Sequence, residues 1–305
     1  MNPMSSDLIE YIEHGVFKSF ALAFACLPRP LCLSIGAGLG RIAFRLDKGH
    51  RAIALSNLAV AFGKELTEPE REALARRAFE HFGRTIADIL KISGYSRGKI
   101  LGLIRTEGAE HLKKALAKGK GVLLFTAHFG NWEIAAAALA EINPIQVIAR
   151  PLDNRFLERE LAKLRTKFGA GIISKFKAGK PILQALKNNE IVGIVIDQNV
   201  LRSQAVFVDF FGKQAATTPA LAAFHVRTGA PLVPMFCYPV GINRHLVKIF
   251  EPFEPALSGR REQDVLKITQ ICTKMIEREI RQNPGLWLWV HRRWNTRPIE
   301  EERTP

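Results

Sequence analysis

The sequence predicts an α/β protein, a mostly parallel central sheet flanked by helices and preceded by an N-terminal helical segment. Three observations carry this. Short apolar runs at Val122–Phe125, Ile145–Ala149, Gly193–Ile196, Leu232–Cys237 and Leu246–Phe250 read as strands buried on both faces. Helix-like segments at Phe156–Phe168, Lys180–Asn188, Ala220–Arg227 and Asp264–Arg281 alternate with them, the pattern of layered parallel sheets. A length of 305 residues with 47% hydrophobic content is ample for one large core, and neither an internal repeat nor a low-complexity segment breaks it up.

The N-terminal part is expected to form a membrane-associated helical segment over residues 1–50, with a catalytic domain over 51–305. Asp7, Glu10 and Glu13 stand where a secretory signal would carry basic residues. Val16–Leu27 is apolar apart from Lys18 and Ser19, but Pro28-Arg29-Pro30 stops it short of the roughly 20 residues that span a bilayer. Leu31–Phe44 is again mostly apolar, with Gly36, Gly38 and Gly40 for close packing and Arg41 and Arg45 at its end. Two such segments suit a monotopic hairpin or interfacial helices with arginines at headgroup level better than a straight single-pass anchor; two core helices are the plain alternative. Next, Thr67-x-x-Glu70 is a capping box opening a long helix to about Leu90, and Gly108–Lys118 reads as a short amphipathic helix.

The formal charge is +15, from 44 basic and 29 acidic residues, which points to a polyanionic partner: an anionic bilayer surface, a phosphorylated lipid, an acidic carrier protein or nucleic acid. The basic residues are dispersed and no zinc-finger or RNA-recognition spacing is present, so nucleic acid is set aside. There is no P-loop and no dinucleotide glycine pattern. Cys26, Cys32, Cys237 and Cys272 lack metal or disulfide spacing and read as reduced packing residues in a cytosol-facing protein; no metal is expected.

Chemistry concentrates in Gly121–Glu133, GVLLFTAHFGNWE. His128 falls just past a strand end, Asn131 can cap a new helix, and Glu133 lies in its first turn. Five residues along one helix would set the two side chains roughly 140° apart. With His128 in the connecting loop, the carboxylate can fold back onto the imidazole, giving a general base with an orienting acid for proton removal from a hydroxyl. Free N–H groups of the helix start favour a developing oxyanion. On spacing alone, a satisfied turn histidine beside an ordinary first-turn acid is the competing account.

His128–Glu133 resembles the His-x4-acid motif of the glycerolipid acyltransferase superfamily, and the flanking sequence is similar to the late, lauroyl/myristoyl acyltransferases of lipid A biosynthesis. Further matches run in order: NLAVAF at Asn57–Phe62, ARPLDN at Ala149–Asn154, Arg165 before FGA, DQN at Asp197–Asn199, VDFFGKQAATTPA at Val208–Ala220, RTGAPLVP at Arg227–Pro234 and WLWVHRRWNTRP at Trp287–Pro298. The resemblance implies a glycerolphosphate-acyltransferase-like fold at the cytoplasmic face of the bacterial inner membrane. It implies transfer of a fatty acyl group from a carrier thioester to a hydroxyl of a lipid A precursor, with acyl-acyl carrier protein or acyl-CoA as co-substrate and no cofactor. Another phospholipid, an ornithine lipid or a phosphoinositol mannoside is the alternative acceptor, and a non-catalytic lipid-binding protein the alternative class.

Beyond the pair, Arg150 follows a strand and is a candidate for a lipid phosphate or the thioester carbonyl, against a surface ion pair. Asn131 is counted with the substrate-binding set. Arg165 is counted with that set too, against a structural role in which it pairs with an acid across the site. Asp197 and Gln198 would bind acceptor hydroxyls or brace their loop. Phe211, with Phe207 and Phe210, would wall an acyl pocket or simply pack in the core. Arg292 and Arg293, among tryptophans, would meet lipid headgroups or phosphates. His291 has no adjacent acid and ranks below His128.

Overall fold

The computed structural model describes residues 3–299, with side chains from Asp7 onward; the outer ends of the two expected spans, 1–2 and 300–305, lie outside the described residues. The centre is a seven-stranded sheet built from β1 (Ile104–Glu107), β2 (Val122–Thr126), β3 (Ile145–Ala149), β4 (Ala170–Ser174), β5 (Ile191–Val195), β8 (Leu232–Val240) and β9 (Arg244–Ile249) in the order β1-β9-β8-β2-β5-β3-β4. Pairing is parallel throughout except at the β8–β9 hairpin. β6 (Val206–Phe210) and β7 (Lys213–Thr217) form a separate antiparallel hairpin. The parallel α/β expectation therefore holds, and β1, β4 and the β6–β7 hairpin are additions to the strands expected from sequence.

β2 shows why the sheet is buried on both faces. All five of its residues are buried. Leu123 and Phe125 join a core with α3 (Lys48–Phe62), α4 (Glu68–Ile92), α9 (Gly179–Lys187), α10 (Ala220–Thr228) and α11 (Arg261–Gln282). Val122 and Leu124 point the other way, into a core with α5 (Arg97–Leu101), α6 (Ala109–Leu116), α7 (Trp132–Leu139) and α8 (Arg155–Lys167). A period of two along one strand thus feeds two apolar layers. The capping box forms as spaced: the Glu70 carboxylate accepts from the Thr67 backbone N–H at 2.7 Å.

The N-terminal segment is two helices, α1 (Pro3–Cys26) and α2 (Arg29–Leu46), and the break comes at the expected proline pair. Among the described residues no helix is long and apolar enough to cross a membrane. α2 lies on α4 at backbone contact distance. A Cβ on Gly40 would collide with the Phe79 carbonyl, and one on Gly36 would come 2.5 Å from the Gly83 oxygen, so only glycine permits this approach. Gly38, expected to share that role, faces open space. α1 packs on both α4 and α8: Lys91 of α4 donates to the Phe24 and Ala25 carbonyls, Asn154 donates to the Glu10 carbonyl and the Glu13 carboxylate, and Lys18 pairs with Glu160 at 3.0 Å. Leu8, Ile12, Val16, Phe20, Leu22, Leu31, Ile42 and Leu46 remain exposed along the two helices.

A buried ionic cluster ties α2 to the body. Asp88 of α4 accepts from Arg29 Nε at 2.7 Å, sits 2.8 Å from His245 Nε2, and accepts from Asn131 Nδ2 at 3.0 Å. Burial pushes the Asp88 carboxyl up, but its bonds to His245 and Arg29 outweigh this and hold it below the ordinary carboxylate range.

Candidate active site

In a parallel sheet, binding sites collect beyond the carboxyl ends of the strands. β2 and β5 are neighbours in register, Thr126 beside Val195, and two residues further the chains deliver His128 and Asp197 side by side. The result is a doubly fixed histidine. The His128 backbone N–H donates to Asp197 Oδ2 at 2.9 Å, and the ring Nδ1 donates to Asp197 Oδ1 at 2.9 Å. The Trp287 indole N–H supplies a third donor to the same carboxylate at 2.7 Å. With Nδ1 carrying the proton, Nε2 keeps the basic lone pair, and Gln198 Nε2 lies 3.4 Å from it. Trp132 meets the ring edge-on, with centroids 5.0 Å apart.

The electrostatics follow from this pairing. Burial of the His128 ring disfavours its charged form, yet the charge and hydrogen bond of Asp197, joined by the more distant charge of Glu133, raise its pKa above the ordinary histidine value. Burial raises the Asp197 carboxyl in turn, while the charge and hydrogen bonds of His128 and the bond from Trp287 leave it well below the usual carboxylate range.

The turn that carries His128 is pinned by the segment after α11. Gly130 N donates to the Leu286 carbonyl at 2.9 Å, Leu288 N donates to the His128 carbonyl at 3.0 Å, and Phe129 forms an isolated antiparallel bridge with Trp287. Gly130 has φ of +61°, and any side chain there would run into the Cys237 carbonyl.

Glu133 occupies the expected first helical turn but does not hold the imidazole. Its two oxygens take a forked pair from Arg165, Nε to Oε2 at 2.9 Å and a terminal nitrogen to Oε1 at 2.6 Å. A bidentate guanidinium is the stronger partner for a carboxylate in this position, so Glu133 acts on His128 through charge alone. The expectation that Arg165 pairs with an acid across the site is what the structure shows, and the acid is Glu133. Asp197, expected chiefly to brace its loop, is the side chain that orients His128.

His128, Glu133, Arg165, Gln198, Arg150 and His291 all line one groove of about 1200 Å³. Its deeper walls are apolar, with Leu124, Ala136, Leu139, Val147 and Leu164 among them. Such a shape suits a long hydrocarbon chain whose polar end reaches His128. One Arg165 guanidinium nitrogen and the Thr126 hydroxyl are buried without a partner among the described residues, and both belong to groove-lining residues. His291 accepts from the Asn199 backbone N–H at 2.7 Å. Arg150 stands at the rim, 61% exposed, paired locally with Asp153 at 2.9 Å.

Three of the expected binding residues lie elsewhere. Asn131 is buried with both polar ends engaged: its oxygen caps α7 by accepting from Ile134 N, and its nitrogen donates to Asp88. Phe211 sits at the β6–β7 turn with φ of +57°, packed against Phe62 and Trp289 in the core, and it is not part of the groove wall. Arg293 has no exposed surface; it donates to the Ala216 carbonyl and Thr217 hydroxyl and stacks over Phe210. Burial pushes its pKa down to about 10. Trp287, Trp289 and Trp294 are likewise core residues, so the aromatic and basic block near the end of the chain is a packing element and only Arg292 of the expected pair is exposed.

Comparison with known proteins finds relatives along most of the chain. The lipid A biosynthesis lauroyltransferase of Escherichia coli K12 is 28% identical over 275 residues, covering 89% of this chain and 88% of the relative. The palmitoleoyltransferase of the same organism is 26% identical over 277 residues, covering 90% and 88%. A phosphatidylinositol mannoside acyltransferase of Mycolicibacterium smegmatis is 24% identical over 252 residues, covering 81% and 80%. Among solved structures, the 1-acyl-sn-glycerophosphate acyltransferase PlsC of Thermotoga maritima aligns over 84% of this chain and 99% of its own with a TM-score of 0.36 and 13% identity. The profile of the bacterial lipid A biosynthesis acyltransferases matches residues 6–296, and the chain therefore belongs to that acyltransferase family.

Proposed function

We propose that the protein is a membrane-surface O-acyltransferase that moves a fatty acyl chain from a carrier thioester to a hydroxyl of a lipid A precursor. The observation that carries this reading is His128: Nδ1 is held by Asp197 while Nε2 opens onto an apolar groove. The acceptor hydroxyl gives its proton to Nε2 as its oxygen attacks the thioester carbonyl. The tetrahedral intermediate collapses with cleavage of the carbon–sulfur bond, and the imidazolium returns the proton to the departing thiolate. Arg165, fixed by Glu133 and with one nitrogen unpaired, stabilises the oxyanion or an acceptor phosphate, and the exposed Arg150 takes part at the rim. The net charge of +15 suits an anionic thioester donor, acyl carrier protein or acyl-CoA. The exposed apolar residues of α1 and α2 seat the protein as a monotopic enzyme on the cytoplasmic face of the inner membrane. The catalytic domain is residues 51–305, with residues 1–50 as the membrane-associated segment.

A second acceptor class is favoured by one specific finding, the phosphatidylinositol mannoside acyltransferase among the relatives. Purified protein given acyl-acyl carrier protein and lipid A precursor should release free thiol, and mass spectrometry should find one added acyl chain. His128→Ala should fold and lose nearly all transfer. Wild-type turnover in that variant overturns the mechanism. Retention of lipid without thioester consumption identifies a binding protein, and transfer to a phosphoinositol mannoside alone changes the acceptor.

A further inference from the structure

Beside the reaction groove lies a second one, of about 540 Å³, between α1, α2 and α4. Its walls are hydrocarbon: Val16, Phe20, Leu39, Ala43, Phe79 and Val290 are representative, and among the described residues the charged or titratable ones lining it are Glu13, Asp47 and His50. Phe17, Phe82, Ile86, Leu90 and Leu288 line both grooves, so one opens beside the other. Leu288 forms part of the shared wall and is itself hydrogen-bonded to the His128 carbonyl. A molecule that reacts at Nε2 thus has a second apolar slot within reach of its reacting end.

We propose that this groove holds a hydrocarbon chain already carried by the acceptor lipid, while the reaction groove holds the acyl chain being transferred. The proposal rests on the acyltransferase reading and extends it to a second subsite. The chemistry of the walls selects this occupant. A peptide inserted here would leave backbone N–H and C=O groups without partners, a cost that an alkyl chain does not incur. Continuity with the reaction groove selects the acceptor: two adjoining slots that meet near one base fit a two-chain acceptor whose hydroxyl lies between them. It follows that the enzyme reads the acceptor by its lipid tails as well as by its headgroup.

Ala43 and Leu39 are exposed groove residues outside the catalytic machinery, so both tolerate substitution. Ala43→Trp fills the slot, and Leu39→Glu places a carboxylate in it. Each methylene kept out of an apolar site weakens binding about fourfold. Steady-state kinetics in detergent solution with acceptors that differ only in carrying one or two chains should show KM for the two-chain acceptor rising about tenfold or more. The kcat, the donor KM and the KM for the single-chain acceptor should stay within about twofold, and thermal melting should confirm that both variants fold. An unchanged KM for the two-chain acceptor overturns the proposal, as does an equal rise for both acceptors or a rise in the donor KM. A defect that appears only on vesicles assigns the face to bilayer contact instead and equally overturns it. If wild type and His128→Ala release thiol alike, the acyltransferase mechanism itself has failed. If they differ and Ala43→Trp changes nothing, only the second subsite has.

Discussion

Substituting Asp197 by asparagine separates the two carboxylates of the site. Asp197 is buried and takes three donors: the His128 backbone N–H, the His128 ring Nδ1–H and the Trp287 indole. An amide offers one accepting oxygen and an NH₂ group, so at least one donor loses its acceptor, at a cost of about 1–3 kcal/mol in stability. If the NH₂ faces the ring, Nδ1 must accept, the proton moves to Nε2, and the base is lost. A wrong tautomer of this kind costs about 10⁴-fold in kcat. The pH profile gives the sharper test. His128 must be neutral to act, so activity rises with pH through its pKa, which Asp197 raises. Asp197→Asn should move that acid limb to lower pH in the residual activity. Glu133→Gln removes a charge that acts without a hydrogen bond, so it should lower activity through Arg165 but move the limb less. Initial rates of thiol release across pH 5–9 (about, spanning the histidine range) measure both. A limb that moves further in Glu133→Gln than in Asp197→Asn would refute the assignment and restore Glu133 as the partner of the imidazole.

Three further outcomes follow from the same geometry. Arg150→Ala breaks only an exposed pair with Asp153, so stability should change by no more than about 1 kcal/mol; a raised KM for donor or acceptor then reports substrate contact, and unchanged kinetics would make Arg150 a surface residue. Gly40→Val drives a side chain into the Phe79 carbonyl and should cost about 1–3 kcal/mol or more by chemical denaturation, whereas Gly38→Ala, which meets nothing, should gain about 0.5–1 kcal/mol. Asp88 is held below its ordinary pKa, so its contribution is present above about pH 4 and is lost as pH falls through the folded-state value. Asp88→Asn leaves Arg29 buried against a neutral partner, should lose about 3–5 kcal/mol at neutral pH, and should show a flatter acid limb of stability than wild type.

The sheet was legible because β2, β3, β5, β8 and β9 are apolar runs bounded by breakers, which is local information. β1 was missed because Ile104–Glu107 alternates with charge at the sheet edge, and β4 because Ala170–Ser174 follows a helix with only Phe168 and Gly169 between. The block from Trp287 to Trp294 was misread for a different reason. Aromatics mixed with arginines fit a lipid surface and a polar-pinned core equally well by composition. What decides is whether the guanidinium finds partners inside the protein, and Arg293 finds three, the Ala216 carbonyl, the Thr217 hydroxyl and the Phe210 face.

The exchange of Glu133 for Asp197 shows where a motif stops being informative. His128 and Glu133 are close in sequence, and that closeness made the acid look like the partner of the base. Yet the distance between His128 and Asp197 along the chain, 69 residues, is the same offset that pairs Val122 with Ile191 and Thr126 with Val195. Parallel register therefore sets the two side chains together as a consequence of which strand lies next to β2, a fact of topology that no local pattern carries. Once β5 is the neighbour, Asp197 arrives beside the ring, and Glu133, one helical turn on, is left to face Arg165 from α8. The spaced pair thus marks the groove by supplying both the proposed base and the acid that fixes its arginine, while the hydrogen bond that sets the tautomer of His128 comes from the sheet.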